Sequence, residues 1–166
     1  MSDLPGPIVL NATVQYNLSL TDDLDLLDVF AEDVVTVSTV VEELEYGVKK
    51  YGRNYLDRAI GAVEVIDDGN KTSLSTADLL ELTRLDGGEE HALICADDFG
   101  GTLATDDMAA RRCAVKLGVE VTGSLRVLKL AIEQDRLAVN EADEKLQRWI
   151  DEGGYRSPVG SITELL

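Results

Sequence analysis

The 166 residues are enough for one domain with a single core, and 45% apolar with 28% charged residues exclude a disordered chain. No apolar run approaches the ~20 residues that cross a bilayer, and the opening "MSDLPGP" lacks the basic and apolar regions of a secretory signal, so a cytoplasmic protein without membrane attachment is expected. Fifteen Lys and Arg against 32 Asp and Glu give a net charge of −17, which argues against simple electrostatic binding to phosphate backbones and, with the acids scattered over nearly every helix, suggests a surface adapted to molar salt.

Ile8-Val9-Leu10, after Pro5 and Pro7, reads as a first strand ending at Asn11, followed by a short helix over Thr13 to Leu20. Asp23 can cap a second helix, "LDLLDVF", and the β-branched "DVVTVS" reads as a second strand. Ser38 or Thr39 then caps a helix through "VVEELEYGVKKYG", with Glu42 at the capping-box spacing from Thr39. "RNYLDRAIGA" continues helically, and "VEVI" is a third strand closed by the turn cluster "DDGN". "LSTADLLELTRL" and "GEEHALICA" read as helices separated by Gly87-Gly88. A strand over 102–105, a helix over 107–117, a strand over 119–121, a helix over 124–134 and the amphipathic "NEADEKLQRWIDEG" complete the pattern. This alternation predicts a parallel sheet, with strands near 8–11, 34–37, 62–66, 102–105 and 119–121 and helices on both faces, in one domain over 1–166.

Polar residues fall at the carboxyl ends of these strands or just beyond them. Asn11 ends the first, Glu43 lies one turn into the helix after the second, Glu89 opens the helix after Gly87-Gly88, and Asp106 and Asp107 end the fourth. In a parallel sheet such positions converge on one edge. The plain structural reading of Asp106 is a cap for the helix beginning near Met108. The chemical reading is that gathered carboxylates relieve their repulsion by protonation or by taking a hard divalent cation, Mg²⁺ or Mn²⁺. On the helices Glu42 and Glu90 point about 100° away from Glu43 and Glu89, so at most one of each pair faces the cleft. Arg111 stands four residues after Asp107 and can pair with it or touch a phosphate. The single histidine, His91, excludes a His–His metal site, and Cys95 and Cys113 lack metal-type spacing and read as buried thiols.

The motifs "IVLNATVQYNL", "VSTVVEEL", "LDGGEEHALICA" and "LATDDMAARRCAVKLGVEVTGSLRVLKLA" together resemble PIN-domain proteins, in particular the archaeal PIN-like group beside the VapC toxin ribonucleases. The resemblance covers about residues 7–158, and the last motif is the most specific. It implies a three-layer α/β/α fold with a central parallel sheet and an acidic Mg²⁺ or Mn²⁺ site that cleaves RNA. Carried over by position, it implies Glu43, Glu89 and Asp107 as catalytic metal ligands, with Asp106 beside them. Asn11 falls on the first acid of the family and Thr13 on the small hydroxyl that usually follows, both as supporting residues. Arg111 and Arg112, in the Ala-Arg-Arg that follows the paired Asp, are candidate contacts to substrate. A homodimeric toxin held in check by a small antitoxin is the function so implied. Asn11, which brings no charge to a metal, keeps open the other reading, a weakened PIN-like module that binds nucleic acid or protein.

Overall fold

The computed structural model describes residues 4–66 and 75–166. The expected turn "DDGN" lies outside the described residues. Five short strands, β1 (Ile8–Leu10), β2 (Val34–Val37), β3 (Glu64–Ile66), β4 (Thr102–Ala104) and β5 (Glu120–Thr122), form one sheet in the order β3-β2-β1-β4-β5. Every pairing is parallel, with Ile8 opposite both Val34 and Thr102, Val35 opposite Glu64, and Thr102 opposite Glu120. The expected fold class is observed, and each strand lies within a residue or two of its expected place.

Alternation along the strands divides the core into two layers. Val9, Val35, Val37 and Leu103 pack with Val40 and Leu44 of α2 (Ser38–Tyr51), with Ala92 to Ala96 of α4 (Gly87–Asp98), and with Ala110 and Ala114 of α5 (Met108–Leu117). Ile8, Leu10 and Ala104 face the other way. They meet Val14 and Leu18 of α1 (Ala12–Leu20), Val127 to Ala131 of α6 (Ser124–Glu133), and Ala142, Leu146 and Trp149 of α7 (Val139–Asp151). The remaining α-helix, α3 (Thr76–Leu82), contacts α5. Trp149 is fully buried, and its Nε1–H donates to Thr21 Oγ1 at 3.0 Å, so its one polar atom is satisfied. No helix among the described residues is long and apolar enough to cross a membrane.

Several local expectations are corrected. Asp23 precedes a 3₁₀ turn (Leu24–Val29) without capping it, because its carboxylate instead reaches Lys145 Nζ at 2.9 Å. Neither Ser38 nor Thr39 caps α2; both lie inside it after Val37, and the Thr39 hydroxyl is bonded to His91 Nδ1 of α4. Residues Asn54–Arg58 form a 3₁₀ turn rather than a continuation of α2, which ends at Gly52 in the left-handed region (φ 62°). Gly87 and Gly88 do not separate two helices. They are the first turn of α4, started by the side chain of Asp86.

Candidate active site at the switch point of the sheet

From β1 the chain builds outward to β2 and β3, then returns to place β4 on the other side of β1. The crevice beyond the carboxyl ends of β1 and β4 is therefore the topological switch point, where open α/β sheets bind ligands. Asn11 and Thr105 meet there: Asn11 Nδ2 donates to Thr105 Oγ1 at 2.9 Å, while Asn11 Oδ1 accepts from Ala12 N at 2.8 Å and caps α1. Asn11 is 1% exposed, so both ends of its amide are committed to structure. Thr13 Oγ1 accepts from Asp106 N at 2.9 Å, which ties the first turn of α1 to the end of β4.

The adjacent aspartates divide the work in a way their sequence leaves undecided. Asp107, not Asp106, is the cap of α5: its Oδ2 accepts from Ala110 N at 2.8 Å. Asp106 turns the other way. Its Oδ1 accepts from Ser124 N at 2.8 Å, and its Oδ2 accepts from Ser124 Oγ and from Asn17 Nδ2 at 3.2 Å. Burial pushes the Asp106 carboxyl up, while the Ser124 and Asn17 hydrogen bonds and the Arg111 charge oppose that rise. A Cβ on Gly123 would come within 2.5 Å of Asp106 Oδ1 and 2.9 Å of Arg111 Nη1, so only glycine admits this approach. Arg111 does not pair with Asp107. Its Nη1 donates to Thr105 O at 2.7 Å and Thr122 O at 3.2 Å, bridging the ends of β4 and β5. Arg112 points elsewhere, into a small hollow of about 90 Å³ with Glu81, Arg84 and Lys116.

Glu43 and Glu89 come together through Asp86, a residue that the sequence reading passed over. Asp86 and Glu89 form a reciprocal capping box, with Glu89 N donating to Asp86 Oδ1 at 2.9 Å and Asp86 N donating to Glu89 Oε2 at 3.3 Å. Gly88 N donates to Glu43 Oε1 at 3.0 Å, across from α2 to α4. Both glutamates are half-buried and both are pushed up to about 7. For Glu43 the causes are burial and then the Asp86 charge; for Glu89 they are burial, then Asp86, Asp107 and Glu43. Asp86 thus acts on both glutamates, Glu89 also feels Asp107 and Glu43, and no Lys or Arg among the described residues appears in setting either value. Tyr16, next to this group, is pushed up by burial and by Glu43. The pattern Asp86-x-x-Glu89 is the signal that could have revealed Asp86. Asn17 and Ser124 carried none, because they reach Asp106 only through the tertiary fold.

Among the described residues no three His, Cys, Asp or Glu side chains form a group that could by itself hold a metal ion. The donor chemistry nevertheless fits Mg²⁺ or Mn²⁺. Mg²⁺ is ordinarily held by one or two carboxylates, with waters and substrate phosphates completing its shell. Half-buried carboxylates pushed up by burial and by neighbouring acids, as Glu43 and Glu89 are, are such donors. Beside them a cleft of about 380 Å³ opens, lined by Thr13, Tyr16, Asn17, Asp106, Asp107 and Arg156 among others.

No curated protein matches the chain significantly. The family model DUF3368, described as PIN domain, matches residues 7–166. PIN domains are in general nucleases that bind nucleic acid and use divalent metals. With that match, a five-stranded parallel sheet between helices and acids gathered at its switch point, the chain belongs to the PIN-domain family and has its nuclease-type fold.

Proposed function

We propose that the protein is a metal-dependent endoribonuclease of the VapC type, using Mg²⁺ or Mn²⁺ to which Glu43, Glu89 and Asp107 would contribute oxygens along with water and substrate phosphate, with Asp106, Asn11 and Thr13 in support. The observation that carries this reading is the gathering of Glu43, Asp86 and Glu89 at the start of α4, through the Gly88 N–Glu43 hydrogen bond and the Asp86–Glu89 capping box, near the cleft that Asp107 lines; burial and neighbouring acids push Glu43 and Glu89 up to about 7 there. A structural ion pair would lower such values, whereas an acid cluster at a cleft is the signature of a cation or proton site.

The chain's own groups have distinct tasks under this reading. Asp107 spends one oxygen on Ala110 N and keeps the other for the cleft. Glu43 likewise spends Oε1 on Gly88 N. A bound divalent ion would supply the positive charge that steadies the phosphate as its oxygens gain charge. Asn11 holds Thr105 and α1 in register and brings no charge.

The wider reading is a single domain acting in the cytoplasm as a homodimer, restrained by a small antitoxin, in a high-salt interior. Met108 and Val115, seven residues apart on α5 and 61% and 67% exposed, are apolar side chains open to such pairing, with Arg111 and Arg112 between them. The charge of −17 supports the salt adaptation. The test is cleavage of single-stranded RNA by the purified chain with Mg²⁺, with Mn²⁺ and with EDTA. Cleavage should need metal and should be lost in Asp107→Asn and in Glu89→Gln while both variants stay folded. A wild type that binds RNA and never cuts it would leave the weakened binding module in place of the enzyme.

A further inference from the structure

A second hollow of about 390 Å³ adjoins the acidic cleft and has the opposite character. Arg111, Arg126 and Arg156 line it, and among the described residues its only acid is Asp106, whose oxygens accept from Ser124 and Asn17. In a chain with only 15 basic residues against 32 acidic ones, three arginines around one concavity need a reason. Arg126 and Arg156 are exposed, and neither makes an ion pair among the described residues. Arg111 is held rigidly by two carbonyls.

The rest of the wall is apolar or aromatic: Met108, Leu125 and Tyr155 among others. Tyr155 packs edge-on against the buried Trp149, with ring centroids 6.2 Å apart, which fixes its plane. Thr122, 4% exposed, lines the same hollow, and its Oγ1 is buried without a hydrogen-bond partner among the described residues. Asp106, Met108, Tyr155 and Arg156 border both hollows, so they are two halves of one groove.

We propose that the arginine-lined hollow is a nucleotide subsite, holding the phosphate and base of the RNA residue next to the one presented to Asp107. This deepens the ribonuclease reading and rests on it. Guanidinium groups meet phosphate oxygens in paired hydrogen bonds, and a fixed aromatic ring offers a face or edge to any base without choosing a sequence. The overall charge repels RNA, so a strand can be retained only where basic groups are locally in excess. The same chemistry could hold an acidic peptide, and the apolar wall and fixed ring favour a nucleotide over it.

The test measures binding of a fluorescent single-stranded RNA of about 12 nucleotides, within the usual span of such sites, by anisotropy in EDTA over a range of KCl. Arg126→Gln with Arg156→Gln should raise Kd at least about tenfold and flatten the dependence of log K on log salt by about 1.4, since each phosphate contact in a single strand contributes about 0.7. A control removing as much charge elsewhere, Lys116→Gln with Arg136→Gln, should leave Kd within about twofold. AMP should compete for the hollow, and a Glu-rich peptide should not. The proposal is overturned if wild type does not bind, if the pocket variant binds like wild type, if the control weakens binding equally, or if the peptide competes and AMP does not. Failure of the parent reading looks different. RNA held through the arginines but uncut with Mg²⁺ or Mn²⁺ keeps the subsite and removes the nuclease, whereas metal-dependent cutting with unchanged KM in the pocket variant does the reverse.

Discussion

Replacing Glu89 with Gln should make the metal-free protein more stable at pH 8 and nearly leave it alone at pH 5. Glutamine keeps the cap, because its amide oxygen can still accept from Asp86 N, so the change removes only charge. Glu89 is pushed up to about 7 from an ordinary 4.5. A carboxyl whose native value is raised holds its proton more tightly when folded, so its stabilising share is present below about 4.5 and is lost as pH rises through about 7. At face value the loss by pH 8 is about 3 kcal/mol, from ~1.36 kcal/mol for each tenfold change in proton affinity. Half-exposure to solvent reduces this to about 1–2 kcal/mol, and at pH 5 about a quarter of that has developed. For a domain of this size the variant should melt about 2–8 °C above wild type at pH 8 and within about 2 °C at pH 5. Calorimetry in EDTA at the two pH values makes the comparison. With metal at ~100 times its dissociation constant the order should reverse at pH 8, because wild type gains about 2.7 kcal/mol that the variant largely forgoes. An equal change at both pH values, or a less stable variant at pH 8 in EDTA, would refute the reasoning, since charge repulsion would not then govern Glu89.

Gly123→Ala should cost about 1–3 kcal/mol in a urea titration, because a Cβ 2.5 Å from Asp106 Oδ1 forces apart the contact between β4 and α6; a midpoint equal to wild type would mean that this contact yields freely. Asn11→Asp puts a charge at a 1% exposed site and gives up the amide donor to Thr105, so it should lower the melting temperature in EDTA and enlarge the gain on adding Mg²⁺ or Mn²⁺. An unchanged metal gain would place Asn11 outside the reach of the ion. Raising KCl from about 0.1 M to about 2 M should raise the melting temperature of wild type, as screening relieves the repulsion of a −17 chain; a flat response would assign those acids to a basic partner instead.

The sheet was legible because β-branched and apolar runs such as "VVTV" and "IVL" have few other places to go, and their alternation with helices allows few topologies. Glu43 and Glu89 were legible as acids near the starts of helices expected at the carboxyl edge of that sheet. The caps were not. Thr39 has the sequence of a cap but spends its hydroxyl on His91, and Asp23 spends its carboxylate on Lys145, partners more than fifty residues away in the chain. Between neighbouring Asp106 and Asp107 the choice of cap is settled by Thr13 and Ser124, which seize the backbone and side chain of the first and leave the second to α5. Local pattern cannot see such competition, because the competing partner arrives only with the fold.

Under the proposed ribonuclease reading, the two sides of the groove ask different things of one RNA strand. On the β2 side, Glu43, Asp86 and Glu89 repel a phosphate unless protonated or screened by a cation, and burial with neighbouring charge pushes Glu43 and Glu89 up to about 7, at the edge of neutral pH. On the β5 side, Arg111, Arg126 and Arg156 attract a phosphate directly at any pH a protein meets. Between them stands Asp106, whose oxygens accept from Ser124 and Asn17. A strand anchored only at the arginines would lie with its next phosphate held off from the acids. Metal would close that gap, so it should act on the strand's position over the acids more than on its capture. Amide at Asn11 suits such a division, because a further buried charge beneath the strand would deepen the repulsion that the cation has to overcome.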